Sequence, residues 1–208
     1  FRVHDRQGSV GGFGANRTTA TVFADGLYMP TGIELANGGC FVAQTPDVFF
    51  LKDLDGDDVA DVKELPLTGF GIEDSHHSVS AWRRGPGGWI YFQEGIFLHT
   101  QVETAYGMVR NYNGGVYQYN PRTRDLRIFA SVGVGNPWGH VFDRWGQSFF
   151  VDNPRVHYLS PATGNGGQRV RLNHLISTEK QCGGDLATGT HLPEEIRGQL
   201  LTCRFKSR

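Results

Sequence analysis

At 208 residues, with Lys+Arg 20 against Asp+Glu 21 and a formal net charge of −1, the chain has no broad field that would draw it to nucleic acid or to an anionic membrane surface. No apolar run approaches the ~18 residues of a membrane-spanning helix. Twenty-nine glycines and 12% aromatic residues, with only short apolar runs between them, point to many short strands rather than helices.

Residues 1–16 carry scattered glycines without a period and read as a loop or an incomplete outer strand. Thr18 to Ala24 alternates and is β-branched, as the last strand of a preceding unit would be. From Pro30 a grammar begins that recurs. Pro30-Thr31-Gly32 leads into Ile33-Glu34-Leu35, a turn at Asn37-Gly38-Gly39, and Cys40-Phe41-Val42-Ala43. It returns at Ile72-Glu73-Asp74-Ser75-His76-His77-Ser78-Val79, which precedes a strand, a turn at Gly85-Pro86-Gly87-Gly88, and Trp89-Ile90-Tyr91-Phe92. A third copy runs from Asn136-Pro137-Trp138-Gly139-His140 through Arg144-Trp145-Gly146 to Ser148-Phe149-Phe150-Val151.

A repeat of roughly 40–60 residues built this way predicts an all-β fold, a β-propeller of four-stranded antiparallel blades. The units span about 30–67, 76–130, 137–177 and 182–208. That is about three to four blades, so the chain is expected to be part of a six-bladed or larger ring that other segments or chains complete, since an open ring leaves unpaired edges.

Between the last strands of the first unit lies Asp53-Leu54-Asp55-Gly56-Asp57-Asp58-Val59-Ala60-Asp61. Carboxylates of Asp53, Asp55, Asp57 and Asp61, with the Val59 carbonyl and Glu64, are the oxygen donors a hard cation wants, and Ca²⁺ in a structural role is the expectation. An Asp/Gly turn held by its own side-chain to backbone hydrogen bonds is the competing reading. The second unit carries an insertion, Gly95 to Asn113, with His99, Glu103, Tyr106 and Arg110. Cys40 reads as a small buried hydrophobe, and Cys182 and Cys203 could pair if two strands bring them together.

In a propeller the loops that enter the innermost strands converge on one axis. Asp74, His76, His77, Asn136, Trp138 and His140 are therefore expected at one mouth, as a polar, partly aromatic cluster suited to a small-molecule or glycan ligand and to proton transfer. A histidine oriented by a carboxylate, His76 or His77 with Asp74 or Glu73, makes a general base. A transition metal is not expected there, because adjacent histidines on an extended segment point apart. His4, His99, His157, His174 and His191 read as structural. A non-catalytic glycan- or protein-binding propeller stacking ligands on Trp138, Trp145 and Tyr106 is an alternative, and a lactonase or lyase on the same fold is another.

The segments Val22 to Leu27 with Pro30-Thr31-Gly32, Phe50 to Asp57, Glu73 to His77, Gly85 to Gly88 with Tyr91 to Gly95, and Asn136 to Gln147 resemble the PVC-type membrane-bound dehydrogenases. Those are similar in turn to the soluble quinoprotein glucose/sorbosone dehydrogenases. The resemblance implies a six-bladed propeller, pyrroloquinoline quinone and calcium as cofactors, and oxidation of a sugar or alcohol. It makes His76 or His77 the base, and Asn136, with Trp138 and His140 beside it, the cofactor contacts. It also implies an exported, periplasmic location and a c-type cytochrome as electron acceptor. One departure stands out: Gly135 occupies the place of an arginine that in that family precedes the asparagine, and an anionic quinone loses a bidentate partner there.

Overall fold

The computed structural model describes residues 2–4, 19–152, 155–160, 168–176 and 180–204. The sequence expectations for residues 5–18, for the end of the third unit and for residues 205–208 lie outside the described residues. A short pair, β1 (Arg2–His4) and β2 (Thr19–Thr21), opens the chain. The first four-stranded sheet follows, β3 (Gly32–Ala36), β4 (Gly39–Gln44), β5 (Asp47–Lys52) and β6 (Val62–Thr68), in sequential antiparallel order. The second is built from β7 (Ser80–Arg84) and β8 (Ile90–Glu94), then a separate hairpin, β9 (His99–Thr104) and β10 (Gly107–Tyr112), then β11 (Gly115–Asn120) and β12 (Asp125–Ala130), which rejoin the sheet beside β8. The third is β13 (Gly139–Phe142), β14 (Ser148–Asp152), β15 (Arg155–Ser160) and β16 (Gln168–Ile176), and a last hairpin pairs β17 (Gln181–Leu186) with β18 (Leu200–Arg204).

The turns explain the hairpins. Between β3 and β4, Asn37 and Gly38 both adopt positive φ (53° and 73°), the conformation whose twist matches that of paired strands. Between β13 and β14, Asp143 accepts the amides of Trp145 and Gln147 and Gly146 supplies the left-handed residue.

The chain is a β-propeller, with sheets stacked face to face around their first strands. Alternation along β8 shows how. Ile90 and Phe92 enter a core shared with Phe41, Ala43 and Val48 of the first sheet, whereas Tyr91 enters one shared with Phe150 and Leu159 of the third. The first strands lie side by side and are tied across the blades: Thr31 Oγ1 donates to Val79 O (2.8 Å), Ser80 Oγ to Pro137 O (3.3 Å), Arg83 Nε to His140 O (3.1 Å) and Gly183 N to Trp138 O (2.6 Å). Gly32 is needed at this seam, because a Cβ there would fall 2.3 Å from the Trp82 ring, which stacks on Phe92 at 4.6 Å.

On its other side the first sheet is covered by Phe23, Ala24 and Leu27, beside an apolar cavity of about 380 Å³. Cys40 is buried against this cover, as its strand position predicts. Cys182 and Cys203 stand directly opposite one another in β17 and β18, both as free thiols.

Candidate functional site

The segment entering β7 is held from outside itself. Asp74 caps a single 3₁₀ turn, Ser75–His77, accepting the His76 amide at 3.1 Å. The turn departs from the extended path read from the sequence, and it changes the geometry of the paired histidines: their rings lie side by side, centroids 3.8 Å apart. His76 Nδ1 is 2.8 Å from Asp74 Oδ1, and His77 Nδ1 is 3.5 Å from Asp74 Oδ2. Burial pushes the Asp74 carboxyl up, but the His76 amide and the neighbouring imidazoles outweigh it and hold the carboxyl below its usual range.

The two histidines differ in exposure. His76 has 67% of its side chain exposed and His77 only 4%. His77 is fixed by the turn that follows β8. Its Nδ1 lies 3.0 Å from Ile96 O, which can only accept, so Nδ1 carries the proton. The Gly95 amide donates to His77 O and the Ile96 amide to Val134 O, both at 2.8 Å. This second bond joins the histidine turn to the loop that carries Asn136 two residues later. Gly95 must be glycine, since a Cβ would stand 2.7 Å from the His77 ring. Phe97 stacks on that ring at 5.7 Å with φ +78°, an unusual conformation for a bulky residue.

Glu73 turns the other way. It accepts from His99 at 2.9 Å rather than orienting either His76 or His77, and, against burial that raises its pKa, the hydrogen bonds from itself and His99 lower it. His140 is also elsewhere than the mouth: it is 2% exposed, its Nε2 2.6 Å from Ser148 Oγ, among Tyr91, Phe129 and Phe142. Asn136 donates its amide to Asp152 Oδ1 at 3.0 Å, and Trp138 lies under Lys180 Nζ at 5.5 Å.

Sequence reasoning passes over a buried carboxyl beneath this site. Glu94, at the end of β8, is 1% exposed and accepts from Tyr117 Oη (2.5 Å) and Thr100 Oγ1 (2.7 Å), while Thr100 also accepts the Gly71 amide (2.9 Å). Burial raises its pKa to about 6 despite those donors. The available signal was an acidic residue closing a strand whose other side chains are all buried.

The acidic loop is ordered by its own backbone. Asp53 accepts the amides of Gly56 (2.6 Å) and Asp58 (3.0 Å), Asp55 that of Asp57 (3.2 Å), Asp57 that of Val59 (2.8 Å), and Asp61 that of Leu54 (2.7 Å). Asp53, Asp55 and Asp61 nonetheless each present an oxygen within 4.8 Å of the others. Glu64 does not join them, because it pairs with Arg124 at 2.8 Å. Of the expected donors, these three converge.

The stacking residues of the glycan reading do not share a surface. Trp138 precedes β13, the 74% exposed Trp145 lies past its other end, and Tyr106 sits at the tip of the β9–β10 hairpin.

Residues 15–176 match the model of a domain of unknown function, DUF7133. Among solved structures, a luciferin-regenerating enzyme superposes with a TM-score of 0.55 at 12% identity, covering 85% of this chain and 55% of that one. A nidogen/laminin complex gives 0.49 at 18% identity, covering 82% and 56%, and virginiamycin B lyase from Staphylococcus aureus gives 0.43 at 11%, covering 84% and 63%. The chain thus spans little more than half the length of the structures it matches first. No curated protein sequence matches it.

Proposed function

The chain belongs to the DUF7133 family, and on that premise we propose that this set of blades carries a general-base centre acting on a small hydroxylated ligand. The observation that carries the reading is the Asp74–His76 pair: a carboxylate 2.8 Å from Nδ1 of an imidazole that is 67% exposed. With Nδ1–H held by the carboxylate, Nε2 keeps its lone pair and is the proton acceptor. Asp74 orients the ring and stabilises its charged form, and His77, buried between His76 and Phe97, keeps the ring in place.

In the oxidation reading, which follows the quinoprotein resemblance, His76 removes the hydroxyl proton of a sugar or alcohol. The residues around Asn136 fit an anionic quinone poorly. Gly135 supplies no side chain, and the nearby Arg169 is engaged by Gly133 O (2.7 Å) and Asp152 (3.5 Å). No step is therefore routed through the quinone, and an exported location and a cytochrome acceptor stand with this reading alone. A second reading, a lactonase or lyase in which the same base activates water or a carbon acid, is favoured by the exposure of His76.

Both are tested on the purified protein by supplying pyrroloquinoline quinone, Ca²⁺ and a dye acceptor with a panel of sugars, and in parallel by following lactone opening in a pH-stat. His76→Ala should lower whichever rate appears by about 10²-fold or more. Turnover in neither assay, or an unchanged rate in the variant, removes the general-base reading.

A structural Ca²⁺ at Asp53, Asp55 and Asp61 is proposed as well. Calorimetric titration after chelation should give saturable binding that Asp55→Asn weakens; no heat and no change in Tm would end it. Further blades, from other segments or chains, would complete the ring.

A further inference from the structure

The 3₁₀ turn that swings the two histidines together also brings three ligand atoms to one point. Asp74, His76 and His77 each offer a donor atom, all within 4.8 Å of one another. Both imidazoles approach the carboxylate closely: His76 Nδ1 lies 2.8 Å from Asp74 Oδ1, and His77 Nδ1 lies 3.5 Å from Asp74 Oδ2. Metal–ligand bonds of about 2.0–2.1 Å at tetrahedral angles put neighbouring ligands about 3.3 Å apart, a value that falls between the two.

We infer that Asp74, His76 and His77 form a two-histidine, one-carboxylate site for a divalent transition metal of the zinc class. Imidazole nitrogens with one carboxylate suit such borderline cations and are a poor match for Ca²⁺ or Mg²⁺, which take oxygen donors. The exposure of His76 (67%) and Asp74 (24%) gives the cation a path in and leaves a position open to water. Binding takes the Nδ1 lone pair of each neutral imidazole, so the ring proton moves to Nε2 and the His77–Ile96 hydrogen bond breaks; protons compete with the metal for the same nitrogens, so the affinity falls as pH falls.

The inference extends to regulation of the proposed general base. A cation on His76 Nδ1 leaves the ring proton on Nε2, which then has no lone pair to accept a proton, and takes the Asp74 oxygen that oriented the ring. Bound metal and general-base action therefore oppose one another. This last point rests on the reading above, but the site itself does not.

The test is titration of Zn²⁺ into chelator-treated protein by calorimetry, at neutral and at mildly acidic pH. Saturable binding that weakens at the lower pH is expected. Asp74→Asn, which keeps a capping oxygen at a half-buried position, and His76→Ala at an exposed one should each weaken it at least tenfold while melting normally. His99→Ala and the double change Cys182→Ser/Cys203→Ser should leave it unaltered. Absence of saturable binding, or affinity that survives both Asp74→Asn and His76→Ala, overturns the site. Because the readout needs no turnover, a failed site leaves the general base untouched, and inactivity with intact binding leaves the site standing.

Discussion

His76 and His140 occupy comparable places in the repeat, each at the entrance to the first strand of a blade, and they meet opposite fates. His76 sits in a turn outside the pleat, exposed beside Asp74. His140 is the second residue of β13, and the alternation of that strand sends its ring between the second and third sheets, where Nδ1 finds no partner. Position in a repeat brings a residue near the axis; which side of the strand it leaves from decides whether it meets solvent or core. One histidine thus stands in solvent beside a carboxylate, and the other is a neutral packing element.

The largest effect that would break this contrast is on acid stability. Burial, helped by the charge of Arg83, lowers the pKa of His140 to about 3, against 6.5 for an ordinary histidine. A depressed histidine pKa means the unfolded state takes up the proton first. The contribution is intact above pH 6.5 and is lost as pH falls toward 3, at about 1.4 kcal/mol per pH unit. His140→Gln should make the fall of Tm between pH 6.5 and 4 shallower by about one proton's worth. A residual slope is expected from His157, whose pKa burial lowers to about 4.

Next in size is Gly95→Ala, which attacks the exposed partner through its support. The added methyl meets the His77 ring and should cost about 1–3 kcal/mol in urea unfolding, with loss of whatever activity depends on His76. A fully active, equally stable variant would mean that His77 does not hold the turn.

Glu94→Gln sharpens the comparison from below. Glu94 shifts the opposite way to His140, from 4.5 to about 6. Its contribution is fully present below pH 4.5 and is lost as pH rises through 6, on the order of 2 kcal/mol in total. The Gln variant, which keeps an acceptor for Tyr117, should lose this opposing slope, so that pH–Tm profiles of the two proteins diverge between pH 4.5 and 6.

The smallest effect belongs to His99→Ala. Its pair with Glu73 is exposed on both sides, and its removal should cost under about 0.5 kcal/mol in the same unfolding measurement.

Much of the architecture could be read in advance. Asn37-Gly38 and Gly146 mark hairpin turns because only residues tolerant of positive φ fit there, and the apolar run Ile90-Tyr91-Phe92 reads as a strand buried on both faces. The acidic loop reads as six donors, of which three carboxylates converge; Glu64 is not among them because it pairs with Arg124, sixty residues away in sequence. The adjacent histidines read as pointing apart, and they lie together because Asp74 caps a 3₁₀ turn whose last residue, His77, is hydrogen-bonded to Gly95 and Ile96.

By itself the sequence determined local conformation and period: turn chemistry and alternation are properties of neighbours along the chain, so blades and their inner strands follow from them. Only the tertiary structure decided which polar side chains ended in solvent and which in the core. That choice turns on contacts between residues far apart in the chain, His77 with Ile96, His140 with Tyr91 and Glu94 with Tyr117, and on the desolvation each then experiences.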